Sequence, residues 1–246
     1  MRYLLLSDLH SNQEALEAVL ADAAGQYDLI VSCGDLVGYG PDPNRVVEWA
    51  RQHLHAVIRG NHDRANCGLE DIEWFNPVAQ AATRWTMGML SAENITYLRN
   101  LRQGPVLVDC FLLVHGSPLD EDEYIASMSD AANVFPYLEA GVTFFGHTHL
   151  QGGFVWRDGE QHPVPGLTPG ESSASLSLTR DAFWLINPGS VGQPRDNDPR
   201  AAYAIYDCET SELFLRRTPY DTEAVRRKIE RAGLPPVLGS RLAHGR

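Results

Sequence analysis

Residues Tyr3-Leu4-Leu5-Leu6-Ser7-Asp8-Leu9-His10 decide how this chain is read. An apolar run of strand length stops at a polar cluster containing Asp and His, two side chains that ligate metals. The same event recurs downstream. Leu29 to Ser32 runs into Cys33-Gly34-Asp35, and Ala56 to Ile58 into Arg59-Gly60-Asn61-His62-Asp63. Phe111 to Val114 runs into His115-Gly116-Ser117, and Val142 to Phe145 into Gly146-His147-Thr148-His149. Continuous apolar runs of this length are what strands buried on both faces look like.

Helical stretches lie between these runs. Ser11 and Glu14 have the spacing of a capping box, opening a helix whose Ala15, Leu16, Val19 and Leu20 fall on one face. Asn44 to Leu54 and Pro77 to Leu90 read as further helices, with shorter ones at Ser91 to Leu101 and Asp130 to Ala140. Strands alternating with helices predict an α/β fold. The last third changes character. Phe154 to Trp156 followed by Asp158-Gly159 predicts a hairpin. Pro163 to Ser177, rich in Pro, Gly and Ser, reads as a mobile surface loop. Phe183 to Ile186, Ala201 to Tyr206 and Glu212 to Arg216 resume as strands, Asp221 to Ala232 as a polar helix, and the tail after Pro235 as loosely held. No repeat or linker separates two cores, so a single domain over residues 1–246 is expected.

The 246 residues carry 32 acidic and 20 basic side chains, a formal charge of −12. That balance, without a Lys/Arg cluster, argues against a nucleic-acid grip, while leaving room for bound cations. No apolar run approaches the roughly 18 residues needed to span a bilayer, and Met1 to Leu6 meets Asp8 too soon for a signal peptide. Cys33, Cys67, Cys110 and Cys208 show no paired spacing, so they read as buried or idle thiols of a cytoplasmic protein.

The polar clusters hold Asp8, His10, Asp35, Asn61, His62, His115, His147 and His149, and ligands in open α/β sheets collect beyond the carboxyl ends of strands. Asp8 and His10 are two apart, as are His147 and His149, so strand alternation would turn each pair to one side. Carboxylate and imidazole together suit divalent Mn, Fe or Zn. Seven ligands are too many for one ion. A carboxylate shared between two ions about 3.5–4 Å apart would account for them all, and such a pair activates a water for in-line phosphoryl displacement. Singly, each residue has a plainer reading: Asp8 as a cap, Asp35 and Asn61 as turn formers, a lone His115 or His147 as a satisfied interior histidine. Capping does not demand histidine at four strand ends, so jointly the metal reading prevails.

The set Asp8-x-His10, Gly34-Asp35, Gly60-Asn61-His62-Asp63, His115 and Gly146-His147-Thr148-His149 resembles the five-block signature of the calcineurin-like metallophosphoesterases. The wording of Ser7 to Asn12, Gly34 to Pro41 and Asn187 to Arg195 is similar to a small bacterial branch of phosphodiesterases and diadenosine tetraphosphatase-related proteins. The resemblance implies a four-layer α/β sandwich, two facing mixed β-sheets flanked by helices. It implies one metal held by Asp8, His10, Asp35 and His149, and a second by Asp35, Asn61, His115 and His147, with Asp35 bridging. A metal-bridging hydroxide would attack phosphorus, and His62 would assist the leaving oxygen. Asp35 and His62 are thus the catalytic candidates, with Asn61 also contacting substrate.

The phosphoprotein phosphatase branch continues its second block into an Asp and an Arg. Here Leu36-Val37-Gly38-Tyr39-Gly40-Pro41 follows, so protein dephosphorylation is disfavoured and nothing in the sequence says what orients His62. Asp63 reads as a turn or cap residue ahead of ligand support. Gly34, Gly60, Gly116 and Gly146 serve turns or close approach. Arg195 is either a solvated arginine or a guanidinium reaching the substrate phosphate, and Tyr39, Trp74 and Phe75 could stack on an aryl or nucleoside group but read as packing. The function expected is hydrolysis of small phosphodiesters or nucleotide phosphoanhydrides, with two divalent ions. The alternatives are a phosphomonoesterase, a diadenosine polyphosphate hydrolase, or a non-catalytic metal-binding scaffold. Specificity is expected in Tyr39 to Asn44, Asn66 to Asn76 and Pro163 to Ser177.

Overall fold

In the computed structural model, which describes residues 1–246, the apolar runs become the inner strands of two sheets. Through its first half the chain forms β1 (Arg2–Leu6), α1 (Gln13–Asp22), β2 (Leu29–Ser32), α2 (Pro43–His53), β3 (Ala56–Val57), α3 (Asn61–Asn66), α4 (Pro77–Met89) and α5 (Ala92–Arg99). It continues with β4 (Val106–Val108), β5 (Phe111–Leu113), α6 (Met128–Val134), β6 (Val142–Phe144), β7 (Gly152–Arg157) and β8 (Glu160–Pro165). β9 (Ser173–Ser177), β10 (Phe183–Asn187), β11 (Ala201–Asp207), β12 (Glu212–Thr218), α7 (Thr222–Arg231) and α8 (Pro236–Leu242) complete it. No helix is long and apolar enough to cross a membrane.

One sheet has the order β3-β2-β1-β11-β12-β9 and the other β4-β5-β6-β10-β7-β8. Both are mixed: β1 pairs parallel with β2 and antiparallel with β11, and β10 pairs parallel with β6 and antiparallel with β7. Alternation along β1 explains its unbroken apolar run. Tyr3 and Leu5 join Phe111, Phe144 and Trp184 between the sheets, while Leu4 and Leu6 meet Leu16, Val19, Val46 and Val47 of the covering helices. The second sheet is covered by α6, where Ala131 and Val134 pack with Phe145 and Leu185. This is the four-layer α/β sandwich expected.

Several local expectations need correction. The cap of α1 is Asn12, whose side chain accepts from the Ala15 N–H at 3.1 Å, and Ser11 takes a left-handed backbone instead. The helix expected from Asp130 begins at Met128, and Pro136 tightens its end into a 3-10 turn. Pro163 to Ser177 is not one loop. Its start completes the β7–β8 hairpin across Asp158-Gly159, and its end is β9, an edge strand paired with β12. Gly and Pro are tolerated there because edge strands leave backbone donors unpaired. The tail is not loose either, since Leu238 and Leu242 of α8 are buried with Val225 and Ile229 of α7. Cys110 and Cys208 are not thiols but a disulfide, with Cα atoms 6.5 Å apart across 98 residues. Facing sheets bring the β4–β5 turn beside the end of β11, which no spacing in the sequence could announce. Cys33 and Cys67 are free and buried, as expected.

Candidate metal centre

The loops that follow β1, β2, β3, β5 and β6 converge at one end of the sandwich, and all eight candidate side chains meet there. The two-residue spacings work, though not through strand alternation. Asp8, His10, Asp35, His147 and His149 lie beyond their strands with φ of 52°, 45°, 55°, 64° and 61°, the left-handed region that non-glycine residues seldom take. Neighbouring loops hold these turns: the Asp8 N–H donates to Gly34 O and the His10 N–H to Asp35 O, each at 3.0 Å. A Cβ on Gly60 would collide with Oδ1 of Asp35 and one on Gly146 with Oγ of Ser7, so both glycines are explained by close approach.

Two ligand clusters result. Asp8, His10, Asp35 and His149 form one, and Asp35, His115 and His147 the other, every member buried. Asp35 belongs to both, its Oδ2 standing 3.6 Å from Nε2 of His10 and 3.6 Å from Nε2 of His115. Oδ1 of Asn61 lies 3.2 Å from His115 Nε2, which adds it to the second cluster.

The hydrogen bonds fix where the protons are. Nδ1 of His10 faces Val37 O at 3.0 Å, and Nδ1 of His149 faces Gln193 O at 2.6 Å. A carbonyl only accepts, so each Nδ1 carries the proton and each Nε2 a lone pair. Those two lone pairs face each other at 3.0 Å. Protonating one ring does not relieve the clash, because burial lowers both imidazoles well below their usual range. His115 Nδ1 donates likewise to Cys33 O at 2.8 Å, turning its Nε2 lone pair toward the Asp35 and Asn61 oxygens. His147 donates from Nε2 to Asp122 O at 3.1 Å, leaving Nδ1 for the cluster. Desolvation pushes the Asp8 carboxyl up to about 7 and raises Asp35 well above its usual value. With both carboxyls ionised this buried group holds acceptors without donors, an arrangement that fits bound cations.

His62 stands at the edge of this group. Its backbone N–H donates to Asp35 Oδ1 at 2.9 Å. Its ring is wedged between Tyr39 (centroids 4.4 Å) and Phe75 (5.0 Å), so packing rather than a carboxylate orients it. Burial, then Arg195, lowers it to about 3, keeping it neutral near pH 7. Asp63 is the structural residue expected: one oxygen accepts from Leu36 and Val37, the other from Gly60, which clamps the Asp35 loop to the start of α3. Arg195 is half-buried, makes no ion pair, donates to Gln193 Oε1 at 3.1 Å and lies 5.8 Å over the Tyr39 ring. Its charge acts on Asp8, His10, Asp35 and His149.

A cleft of about 400 Å³ opens beside the clusters, lined by Asn61, His62 and His147 together with Tyr39, Glu70, Trp74, Phe75, Asn76, Ala79, Asp122 and Tyr124. Tyr39 and Phe75, read as packing, do pack, but against His62. Trp74, also read as packing, does not pack: it is 88% exposed on the cleft wall, because it ends a short turn that no core element covers. Tyr124 had no periodic pattern to mark it. Of the three specificity segments expected, Pro163 to Ser177 does not reach this cleft. Arg241 on α8 was missed altogether. Its Nε is buried without a partner, and Arg195 and Tyr39 are close enough to act on its charge.

A family model described as the calcineurin-like phosphoesterase superfamily domain matches residues 1–211. A solved metallophosphoesterase from Sphaerobacter thermophilus is 39% identical, with a TM-score of 0.85 over 100% of this chain and 99% of that one. An uncharacterised protein of Methanocaldococcus jannaschii is 32% identical over 98% of this chain and 97% of its own length. A hypothetical protein from Pyrococcus horikoshii OT3, at 21% identity, shares the fold with a TM-score of 0.76, covering 100% of this chain and 98% of that one.

Proposed function

This chain belongs to the calcineurin-like phosphoesterase superfamily, and we propose that it is a dinuclear metal-dependent phosphoesterase acting on small phosphodiesters or nucleotide phosphoanhydrides. The observation that carries the reading is the pair of acceptor-only clusters sharing the Asp35 carboxylate. Asp8, His10, Asp35 and His149 would hold one divalent ion, and Asp35, Asn61, His115 and His147 the other, as Mn, Fe or Zn. Bound there, two such ions supply Lewis acidity at phosphorus and an activated water.

The chain's own groups do the rest. Asp35 holds the two clusters in register, because its Oδ1 is tied to the His62 N–H while Oδ2 faces both sides. Nδ1 of His62 is buried without a partner, so Nε2 is the nitrogen free to meet a ligand in the cleft. A neutral imidazole there donates an N–H hydrogen bond to the leaving oxygen as its charge develops. Arg195 adds positive potential on the side of Tyr39, where a phosphate would otherwise face two carboxylates. The intact ligand set speaks against a non-catalytic scaffold.

The test is hydrolysis of bis-p-nitrophenyl phosphate and p-nitrophenyl phosphate by Mn-reconstituted protein, beside Asp35→Asn. Diester turnover that disappears in the variant is the expected result. A monoester preference would replace the diester reading with a phosphomonoesterase, and no turnover of either by protein carrying two ions would remove the enzymatic reading for these substrate classes.

A further inference from the structure

We propose that the cleft beside the candidate metal centre receives the planar base of a nucleoside phosphodiester, stacked on Trp74, an inference that rests on the phosphoesterase reading above. Trp74 is the most exposed large hydrophobic side chain of the chain, at 88%. That exposure is not the accident of a slack loop. Trp74 ends a 3-10 turn capped by Asp71, which accepts from the Glu73 N–H at 3.0 Å. Immediately after it, Asn76 caps α4 by accepting from Val78 and Ala79 at 3.1 and 3.0 Å. Gln80 ties the Phe75 carbonyl at 2.8 Å. An indole fixed at both ends of its segment and left in water adds nothing to the core, whereas buried tryptophan is among the largest apolar contributions available.

Its neighbours specify what would cover it. Phe75 and Tyr124 are on the cleft wall, and each also packs on an imidazole of the site, Phe75 on His62 at 5.0 Å and Tyr124 on His147 at 4.0 Å. The aromatic surface is therefore continuous with the place where the phosphorus chemistry is proposed. The charges at the cleft are already spent. Arg64 donates to Glu70 and to Asp122, each at 2.6 Å, and also pairs with Glu121. No free cation remains on that wall, and two carboxylates line it. Additional phosphates are disfavoured there, while an uncharged planar group is accommodated. Two arginines near the site that have no carboxylate partner, Arg195 and Arg241, are by contrast on the side of Tyr39. A diester monoanion with one base-bearing arm matches this division, with phosphorus at the clusters and the base toward Trp74. Stacking tolerates any base because each has a π-face, so weak base selectivity is expected.

The experiment compares adenylyl-(3′→5′)-adenosine with glycerophosphoethanolamine, two diesters with unactivated alcohol leaving groups, on Mn-loaded protein. The dinucleotide is expected to have the higher kcat/KM. In Trp74→Ala that ratio should fall roughly 5- to 150-fold, the range for loss of one base–aromatic stack, mostly through KM, and Trp74→Phe should restore much of it. Equal losses on both substrates, or an unchanged ratio, would overturn the proposal, as would a preference for a dinucleoside polyphosphate over the dinucleotide. Binding is read separately, by titrating adenosine monophosphate against tryptophan fluorescence. Quenching in wild type that is weakened in Trp74→Ala supports the cleft even if no diester is hydrolysed, in which case only the phosphoesterase reading fails. Identical titrations of the two proteins would refute the cleft whatever the catalytic result.

Discussion

Replacing Asp35 by Asn should separate two effects that usually travel together, loss of a ligand and loss of stability. Oδ1 of Asp35 accepts the His62 N–H at 2.9 Å, so an asparagine keeps its oxygen there and must place its NH2 where Oδ2 stood. That position is 3.6 Å from the Nε2 lone pairs of His10 and His115. Two N–H donors then face those lone pairs, and a carboxyl strongly disfavoured in its charged form by burial is removed. Metal-free Asp35→Asn is expected to melt no lower than metal-free wild type. With Mn the order reverses. One ion at a hundredfold excess over its Kd adds about 2.7 kcal/mol, so two add about 5. An unfolding entropy of roughly 2.1 cal/mol/K per residue over 246 residues is about 0.5 kcal/mol/K, which converts that gain to a rise of about 10 °C. The variant has no shared carboxylate, and its rise should shrink to about 1–2 °C. Scanning calorimetry with and without Mn, beside metal analysis of the dialysed proteins, reads both quantities. Two retained ions and a full rise in Asp35→Asn would refute the shared-ligand argument. A metal-free variant that melts several degrees low would instead refute the acceptor-only description of the clusters.

Three further outcomes follow from particular contacts. A Cβ at Gly38, where φ is 96°, would lie 2.6 Å from Nδ1 of His62; Gly38→Ala should retain both ions yet lower kcat by about 10²-fold, the low end for losing a positioned proton donor, and an unchanged kcat with bis-p-nitrophenyl phosphate would show that the orientation of His62 is immaterial. Leu238 is buried under α7, so Leu238→Ala should cost about 2–5 kcal/mol in urea unfolding, whereas a loosely held tail would give no change. The Asp198 carboxylate is held below its usual pKa against its own burial, chiefly by hydrogen bonds from Arg200 at 2.9 Å and 2.5 Å and then by Arg217. A folded pKa below the unfolded one adds stability above the unfolded pKa that is lost as pH falls through the folded value, so Asp198→Asn should lose about 1–3 kcal/mol at pH 7 and match wild type in acid below that value, and a deficit independent of pH in urea titrations would exclude the ion pair as its source.

The inner strands were legible because β1, β2 and β6 are covered on both faces, so their sequences are apolar without interruption. The ligands were legible because chemistry limits which side chains can serve, and Asp8, His10, Asp35, Asn61, His62, His115, His147 and His149 all arrive at one place. What failed to show depends on partners distant in sequence. β9, Ser-Ala-Ser-Leu-Ser, places only Leu176 against the core and exists as a strand through its pairing with β12. The C-terminal helix α8 is recognisable only once α7 offers Val225 and Ile229 to Leu238 and Leu242. The bridge from Cys110 to Cys208 needs both sheets in place. For Trp74 the sequence left stacking and packing both open, and only the cleft, which leaves the indole exposed beside Phe75 and His62, decides against packing.

The same geometry explains why a short spacing can serve a site of this kind. Asp8-x-His10 and His147-x-His149 were expected to align their side chains by alternation, yet each pair sits in left-handed backbone beyond a strand. Seven of the eleven non-glycine residues with positive φ belong to these loops: Asp8, His10, Ser11, Asp35, Tyr39, His147 and His149. Asp and His are among the residues that tolerate this conformation best, so the types the chemistry requires are also types the turns accept. Backbone strain and lone-pair repulsion are therefore concentrated at one end of the sandwich, where neither contributes to folding. Strain of that kind persists when surrounding structure over-determines it, and here the Asp63 clamp on Leu36, Val37 and Gly60 does so before any cation is present. It follows that Asp63→Asn should disorder the Asp35 loop and weaken both metal sites, although Asp63 belongs to neither ligand cluster.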